Sequence, residues 1–74
     1  MDTRKRHFAV CIDNTDYRAS LIPHKIYEMI PDEQAAQDDL IRIVDESGED
    51  YLYHVSHFLV VEFPVEVERV LAAA

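Results

Sequence analysis

Three features of the sequence predict a mostly β fold, a small five-stranded SH3-like barrel followed by a short C-terminal helix. The chain has five short apolar segments broken by turn residues, each too short for a helix of ordinary length. The stretch "VDESGEDYLY", residues 44–53, holds the only glycine, Gly48, at the tip of a tight hairpin. The stretch "HVSHF", residues 54–58, leaves room for one 3₁₀ turn before the last strand. In this layout a sheet curls until its edges nearly meet, which lets a chain of 74 residues enclose a core.

Each element has a local cause. In the first strand, His7 to Ile12, Phe8, Val10 and Ile12 share one face and Ala9 and Cys11 the other. "DNTD", residues 13–16, is turn chemistry, because Asp and Asn side chains close local hydrogen-bonded turns. Pro23 biases Ile22 toward an extended backbone, so Ala19 to Ile22 is expected to be a short extended piece. The second strand runs from Lys25 to Ile30 and stops at Pro31. Asp32 then caps one loose helical turn containing Ala35 and Ala36.

"LIRIVDE", residues 40–46, is the third strand, and the hairpin leads into the fourth. Pairing Val44 with Tyr51 and Ile43 with Leu52 sets Asp45 opposite Asp50 and Glu46 near Glu49, a like-charge cost. Pairing Asp45 with Tyr51 across a three-residue loop relieves it, and the sequence leaves both registers open. "LVVEF", residues 59–63, is the last strand. Pro64 suits the first position of a helix over 64–73, in which Val67, Val70, Leu71 and Ala74 recur at helical spacing. A helix so short is stable only when docked. The alternation of the strands puts Phe8, Val10, Ile26, Ile41, Ile43, Leu52, Phe58 and Val60 in the core.

At this length the chain is one domain, residues 1–74, and buries only about 60% of its unfolded surface. Residues 1–6, with Arg4, Lys5 and Arg6, are expected to be disordered. Fifteen acidic residues against seven basic ones give a net charge of −8. Such a polyanion is a poor partner for nucleic acid or an anionic membrane, whereas a basic protein surface is acceptable. The apolar run Phe8 to Ile12 is shorter than the roughly 7–15 residues of a signal-peptide core, so a cytoplasmic protein is expected. Cys11 stands alone, which excludes an internal disulfide and suits a reducing compartment.

The segment 25–58 carries a further signal. Lys25-x-Tyr27 in a strand, Pro31-Asp32-Glu33 in a loop, and the hairpin Ile41 through Tyr53 resemble a family of small, uncharacterised bacterial proteins. The chain departs from that pattern at His54, where the family favours proline. The resemblance implies an SH3-like barrel and brings no activity, cofactor or catalytic residue.

Chemistry is sparse. His54 and His57 share a face of a 3₁₀ turn, and His7, His24 or Cys11 would have to complete a metal site; surface histidines are the simpler account, and no metal site is assigned. The acidic tip has no EF-hand spacing. Cys11 sits in an apolar strand without a basic neighbour, and Ser20, Ser47 and Ser56 lie in no nucleophile-elbow pattern, so no catalytic residue and no cofactor are assigned and the protein is expected not to be an enzyme. Tyrosines and acids remain. Tyr17, Tyr51, Tyr53 and His57, with Tyr27 nearby, are placed to line a shallow peptide groove, and Asp45, Glu46, Glu49 and Asp50 to meet a basic partner. The competing account is half-buried rings in ordinary packing and a solvated hairpin tip that blunts strand aggregation. The expected function is a non-catalytic interaction module for an unidentified protein or peptide partner. The alternatives are a homo-oligomer, such as a homodimer, joined through the C-terminal helix or a strand edge, and a small metal-binding protein using His54 and His57.

Overall fold

A computed structural model describes residues 7–73. The expected disorder of residues 1–6 and the expected place of Ala74 on the helix lie outside the described residues. The chain forms β1 (His7–Cys11), β2 (Ile26–Ile30), α1 (Glu33–Gln37), β3 (Leu40–Val44), β4 (Asp50–His54), a 3₁₀ turn η1 (Val55–His57), β5 (Phe58–Val61) and α2 (Val65–Ala73). All five strands belong to one antiparallel sheet in the order β4-β3-β2-β1-β5.

The sheet curls without closing. Its edge strands are separated by three others, so a flat sheet would hold them roughly 19 Å apart at about 4.8 Å per step. Yet the rings of Tyr53 on β4 and Phe58 on β5 lie 5.8 Å apart, and Tyr27 of β2 meets Phe58 at 6.3 Å. No ladder joins β4 to β5 among the described residues, and Val60, on the inner face of β5, stays 53% exposed.

Small residues and rings divide the enclosed face. The core is Ala9, Cys11, Leu21, Tyr27, Ile41, Ile43, Tyr53 and Phe58, with Met29 packed against it. The expected core holds for Ile41, Ile43 and Phe58; Phe8 is buried and Val10 half-buried, but both lie on the face of β1 opposite the core cluster. It fails for Ile26 and Leu52, which are exposed on the outer face, and for the exposed Val60. The inner face of a curled sheet is crowded, so β1 offers Ala9 and Cys11 where Tyr27 and Phe58 need room. Phe8 is buried on the other face, where its ring meets Phe63 edge-on at 5.9 Å.

Two further expectations are corrected. Ala19 to Ile22 is not extended but turned, with Ser20 N–H and Leu21 N–H both donating to the Tyr17 carbonyl. This drops Leu21 into the core, tied by Asn14 Nδ2 donating to the Leu21 carbonyl. The hairpin takes neither expected register: Val44 pairs with Asp50 and Ile43 with Tyr51. Asp45 N–H donates to the Glu49 carbonyl and Gly48 N–H to the Asp45 carbonyl, so the loop is Glu46–Gly48 with Gly48 at φ 84°. This register keeps Asp45 away from Asp50 and turns it inward, where it is 6% exposed.

Local chemistry sets the helices. Asp32 accepts from Ala35 N–H to cap α1, and its other oxygen accepts from Arg42 Nε and Nη2. Pro64 stands just before α2 rather than inside it, its carbonyl accepting from Val67 N–H and Glu68 N–H. The apolar stripe of α2 is covered only in part: Val67 and Val70 are exposed and Leu71 is half-buried, and Val65 at the start of the helix is exposed too.

At Gly48 an added Cβ would meet nothing within 4 Å, so only the left-handed backbone opposes a side chain there. Gly48→Ala is expected to lower stability by about 1 kcal/mol in urea unfolding with an unchanged m-value. An unaffected or more stable variant would contradict the turn geometry.

Candidate functional site

The β1–β2 loop, the β3–β4 hairpin turn and β4 converge on one groove. Its lining is Tyr17, Ser20, Asp45, Ser47, Tyr51, Leu52 and Tyr53, around about 330 Å³. The turn at Tyr17 and the hairpin tip are bound together by Glu46 N–H donating to the Ser20 carbonyl at 3.0 Å. Tyr17 stands edge-on to two rings, Tyr53 at 4.8 Å and His57 at 5.2 Å, the geometry that ring quadrupoles favour. His57 is steadied by Nδ1 lying 2.7 Å from the Asp13 carbonyl.

Asp45 is the electrostatic centre. Its Oδ1 accepts from Ser47 N–H (2.9 Å) and Ser47 Oγ–H (2.6 Å), and its Oδ2 accepts from Tyr53 O–H (2.6 Å). Burial by itself pushes this carboxyl up. The donors from Ser47 and Tyr53 outweigh it, so the group is held below the ordinary aspartate range and stays ionised. Tyr53 is the reciprocal case: burial first, and then the hydrogen bond to Asp45, push its phenol up to about 12.

The next acid makes the same connection to the next ring. Glu46 Oε2 accepts from Tyr27 O–H and from Lys25 Nζ, and Tyr27 Oη also accepts from Ile22 N–H at 2.8 Å. Burial, and then the bond to Glu46, drive the Tyr27 phenol well above its usual range. Lys25, followed by Tyr27, draws Glu46 below the usual glutamate range. Glu49 accepts from Tyr51 O–H at 3.2 Å, and Asp50 from Arg42 Nη1 at 2.8 Å.

The eight residues singled out in the sequence thus fall into two sets. Tyr17, Asp45, Tyr51 and Tyr53 line the groove, and His57 supports its wall through Tyr17. Glu46 points to Tyr27 and Lys25, and Asp50 to Arg42, while Glu49 binds Tyr51 at the rim, so the four acids do not form one face. Ser20, Ser47 and Leu52 were not anticipated as groove residues. For Ser47 a signal existed, because Asp-x-Ser is a side-chain turn motif; the place of Ser20 depends on the loop fold.

His54 and His57 do not point to a metal. His54 Nδ1 accepts from Ser56 N–H at 3.1 Å, and among the described residues no three metal-ligating side chains gather. Cys11 is fully buried, and burial raises its thiol. A second, apolar groove of about 300 Å³ lies beside Met29, Ile30, Leu40, Val55 and Val60. No helix among the described residues is long and apolar enough to cross a membrane. No protein-family model matches the sequence, and no similar curated protein or solved structure is found.

Folding raises the Tyr53 phenol from 10.0 to about 12, so its stabilisation is complete below pH 10 and lost as pH rises toward about 12. Unfolding free energy should therefore be level up to pH 9 and fall above 10, with Tyr53→Phe removing part of that slope. The same variant leaves a buried carboxylate one donor short and is expected to cost about 1.5–3 kcal/mol near neutrality. Absorbance at 295 nm during alkaline titration checks the first point; Tyr53 ionising near 10 in the folded protein would contradict it.

Proposed function

We propose that the protein is a non-catalytic interaction module built on an SH3-like barrel, and that its tyrosine-walled groove holds an extended segment of a basic protein partner. The observation that carries this reading is the groove itself: Tyr17, although edge-on to two rings, and Tyr51 keep 37% and 49% of their surface exposed around an ionised Asp45. Amphipathic rings over a polar floor are common recognition surfaces. The strand order, the 3₁₀ turn before β5 and the contact of Tyr53 with Phe58 support the barrel reading. The net charge of −8 favours a basic partner and opposes nucleic acid and anionic membranes. The raised thiol of Cys11, at the bottom of the core, argues against nucleophilic catalysis. A lone buried thiol is also consistent with a cytoplasmic location.

A second reading, self-association, has its own support. Edge strand β5, Phe-Leu-Val-Val, carries no charge, and Leu59 is 59% and Val70 of α2 69% exposed. Uncharged open edges and apolar helix faces favour pairing, although the net charge opposes it.

Titration of labelled protein with a pool of short, lysine- and arginine-bearing peptides tests the first reading by amide NMR. Saturable shifts are expected at Tyr17, Ser47, Tyr51 and Tyr53, weakened by added salt and by Tyr17→Ala. Shifts confined to β5 or α2, or none at saturating peptide, would overturn it. Light scattering on the purified chain tests the second. A dimer that Leu59→Lys and Val70→Asp dissociate is expected if that reading holds, and a monomer at every concentration removes it.

A further inference from the structure

We infer that the groove is a receptor for one arginine side chain, whose guanidinium pairs with Asp45 while its plane lies against the tyrosine rings. The inference rests on the interaction-module reading and specifies the chemistry that the groove recognises.

The starting point is an unbalanced charge. Asp45 is 6% exposed and held ionised, yet its three donors, Ser47 N–H, Ser47 Oγ–H and Tyr53 O–H, are all neutral. Among the described residues no lysine, arginine or histidine forms an ion pair with it. Three cations are engaged elsewhere, Lys25 with Glu46, Arg42 with Asp32 and Asp50, and His57 near Asp13, while Arg18, next to Tyr17, is exposed and forms no ion pair with Asp45. A buried charge without a counter-charge is costly, and structural carboxylates in such places are normally paired. Perturbed buried carboxylates that line a groove cluster at functional sites, where a ligand can supply the missing charge.

The geometry is open to one more donor. A carboxylate offers about four lone-pair positions, and the neutral donors take two on Oδ1 and one on Oδ2. Asp45 also lines the groove, and its Oδ2, which accepts from Tyr53 O–H, has the capacity for one more donor from a ligand that enters there. An asparagine or a water could stabilise the turn without demanding ionisation; Tyr53 and Ser47 together hold the charged form.

The walls select the kind of cation. Tyr17, Tyr51 and Tyr53 line the groove, and Tyr17 and Tyr51 keep exposed ring surface there. A guanidinium is planar and weakly hydrated, stacks on aromatic faces, and needs only one or two acceptors at a time. An ammonium is compact and strongly hydrated, and would have to give up water for a single free acceptor position. The volume, about 330 Å³, fits a long side chain rather than a folded surface. Glu49 at the rim, bound only to Tyr51 O–H, adds negative potential at the entrance.

Three peptides that differ at one position, Gly-Ser-X-Ser-Gly with X arginine, lysine or citrulline, test this on the full chain by amide NMR. Citrulline keeps the shape and planarity of arginine and removes the charge. The arginine peptide is expected to shift Tyr17, Ser47 and Tyr53 saturably, and the citrulline peptide to bind about tenfold more weakly, one charge-assisted hydrogen bond. The lysine peptide should fall between them. Asp45→Asn should erase the difference between arginine and citrulline. Because Asp45 also holds the turn, Tyr17→Ala provides an independent arm, expected to weaken the arginine peptide about fivefold with the spectrum otherwise native. Equal binding of arginine and citrulline at the groove would overturn the inference and leave the module reading standing. No saturable shift with the arginine peptide would overturn it too, and the peptide-pool titration then decides the module reading separately.

Discussion

A tyrosine enters a protein core only if its hydroxyl, taken from water, finds another acceptor. Tyr27 and Tyr53 are both buried in the curled sheet, and both hydroxyls end on the hairpin turn: Tyr53 on Asp45 and Tyr27 on Glu46. Two consecutive acids therefore close the polar end of a core that is otherwise apolar. Among the described residues no buried side-chain nitrogen or oxygen is left without a partner.

Much of the remaining structure follows from that constraint. To reach Tyr53, Asp45 must leave the ladder side of the hairpin and turn inward, which fixes the Val44–Asp50 register and requires Gly48 at positive φ. The same turn presents Glu46 N–H to Ser20 and Glu46 Oε2 to Lys25, binding the long β1–β2 loop that carries Tyr17. The groove is thus a by-product of how the core is closed: its floor and one wall are the atoms that satisfy Tyr53. In the proposed reading, stability and recognition share the same carboxylate.

Local chemistry was legible in the sequence, and the choice of faces was not. The Asp32 cap, the presence of a hairpin around Gly48, the 3₁₀ turn and a helix following Pro64 each depend on a few neighbouring residues, and each is present, although the hairpin register and the first residue of the helix differ from expectation. Alternation along β1 is compatible with either phase, because Phe8 and Val10 are the larger residues; the small Ala9 and Cys11 face inward because rings from β2 and β5 occupy that space. Leu21 sits alone among turn residues, with no periodic neighbour to mark it as core. The hairpin register was missed because pairing costs count charges as if all four acids were in solvent, whereas Asp45 is buried. Tyr17, Tyr53 and His57 do come together, by way of loop and turn positions that the strand pattern implied. Ser20 and the division of the four acids required the folded loop.

The carboxyl resonance of Asp45, followed by ¹³C NMR as the folded protein is acidified, tests the central claim most directly. If Tyr53 and Ser47 hold this buried group ionised, its midpoint lies below that of an ordinary aspartate and rises when Tyr53 is replaced by phenylalanine. A midpoint at or above the ordinary value, indifferent to that replacement, would mean that the hairpin acids do not close the tyrosine core.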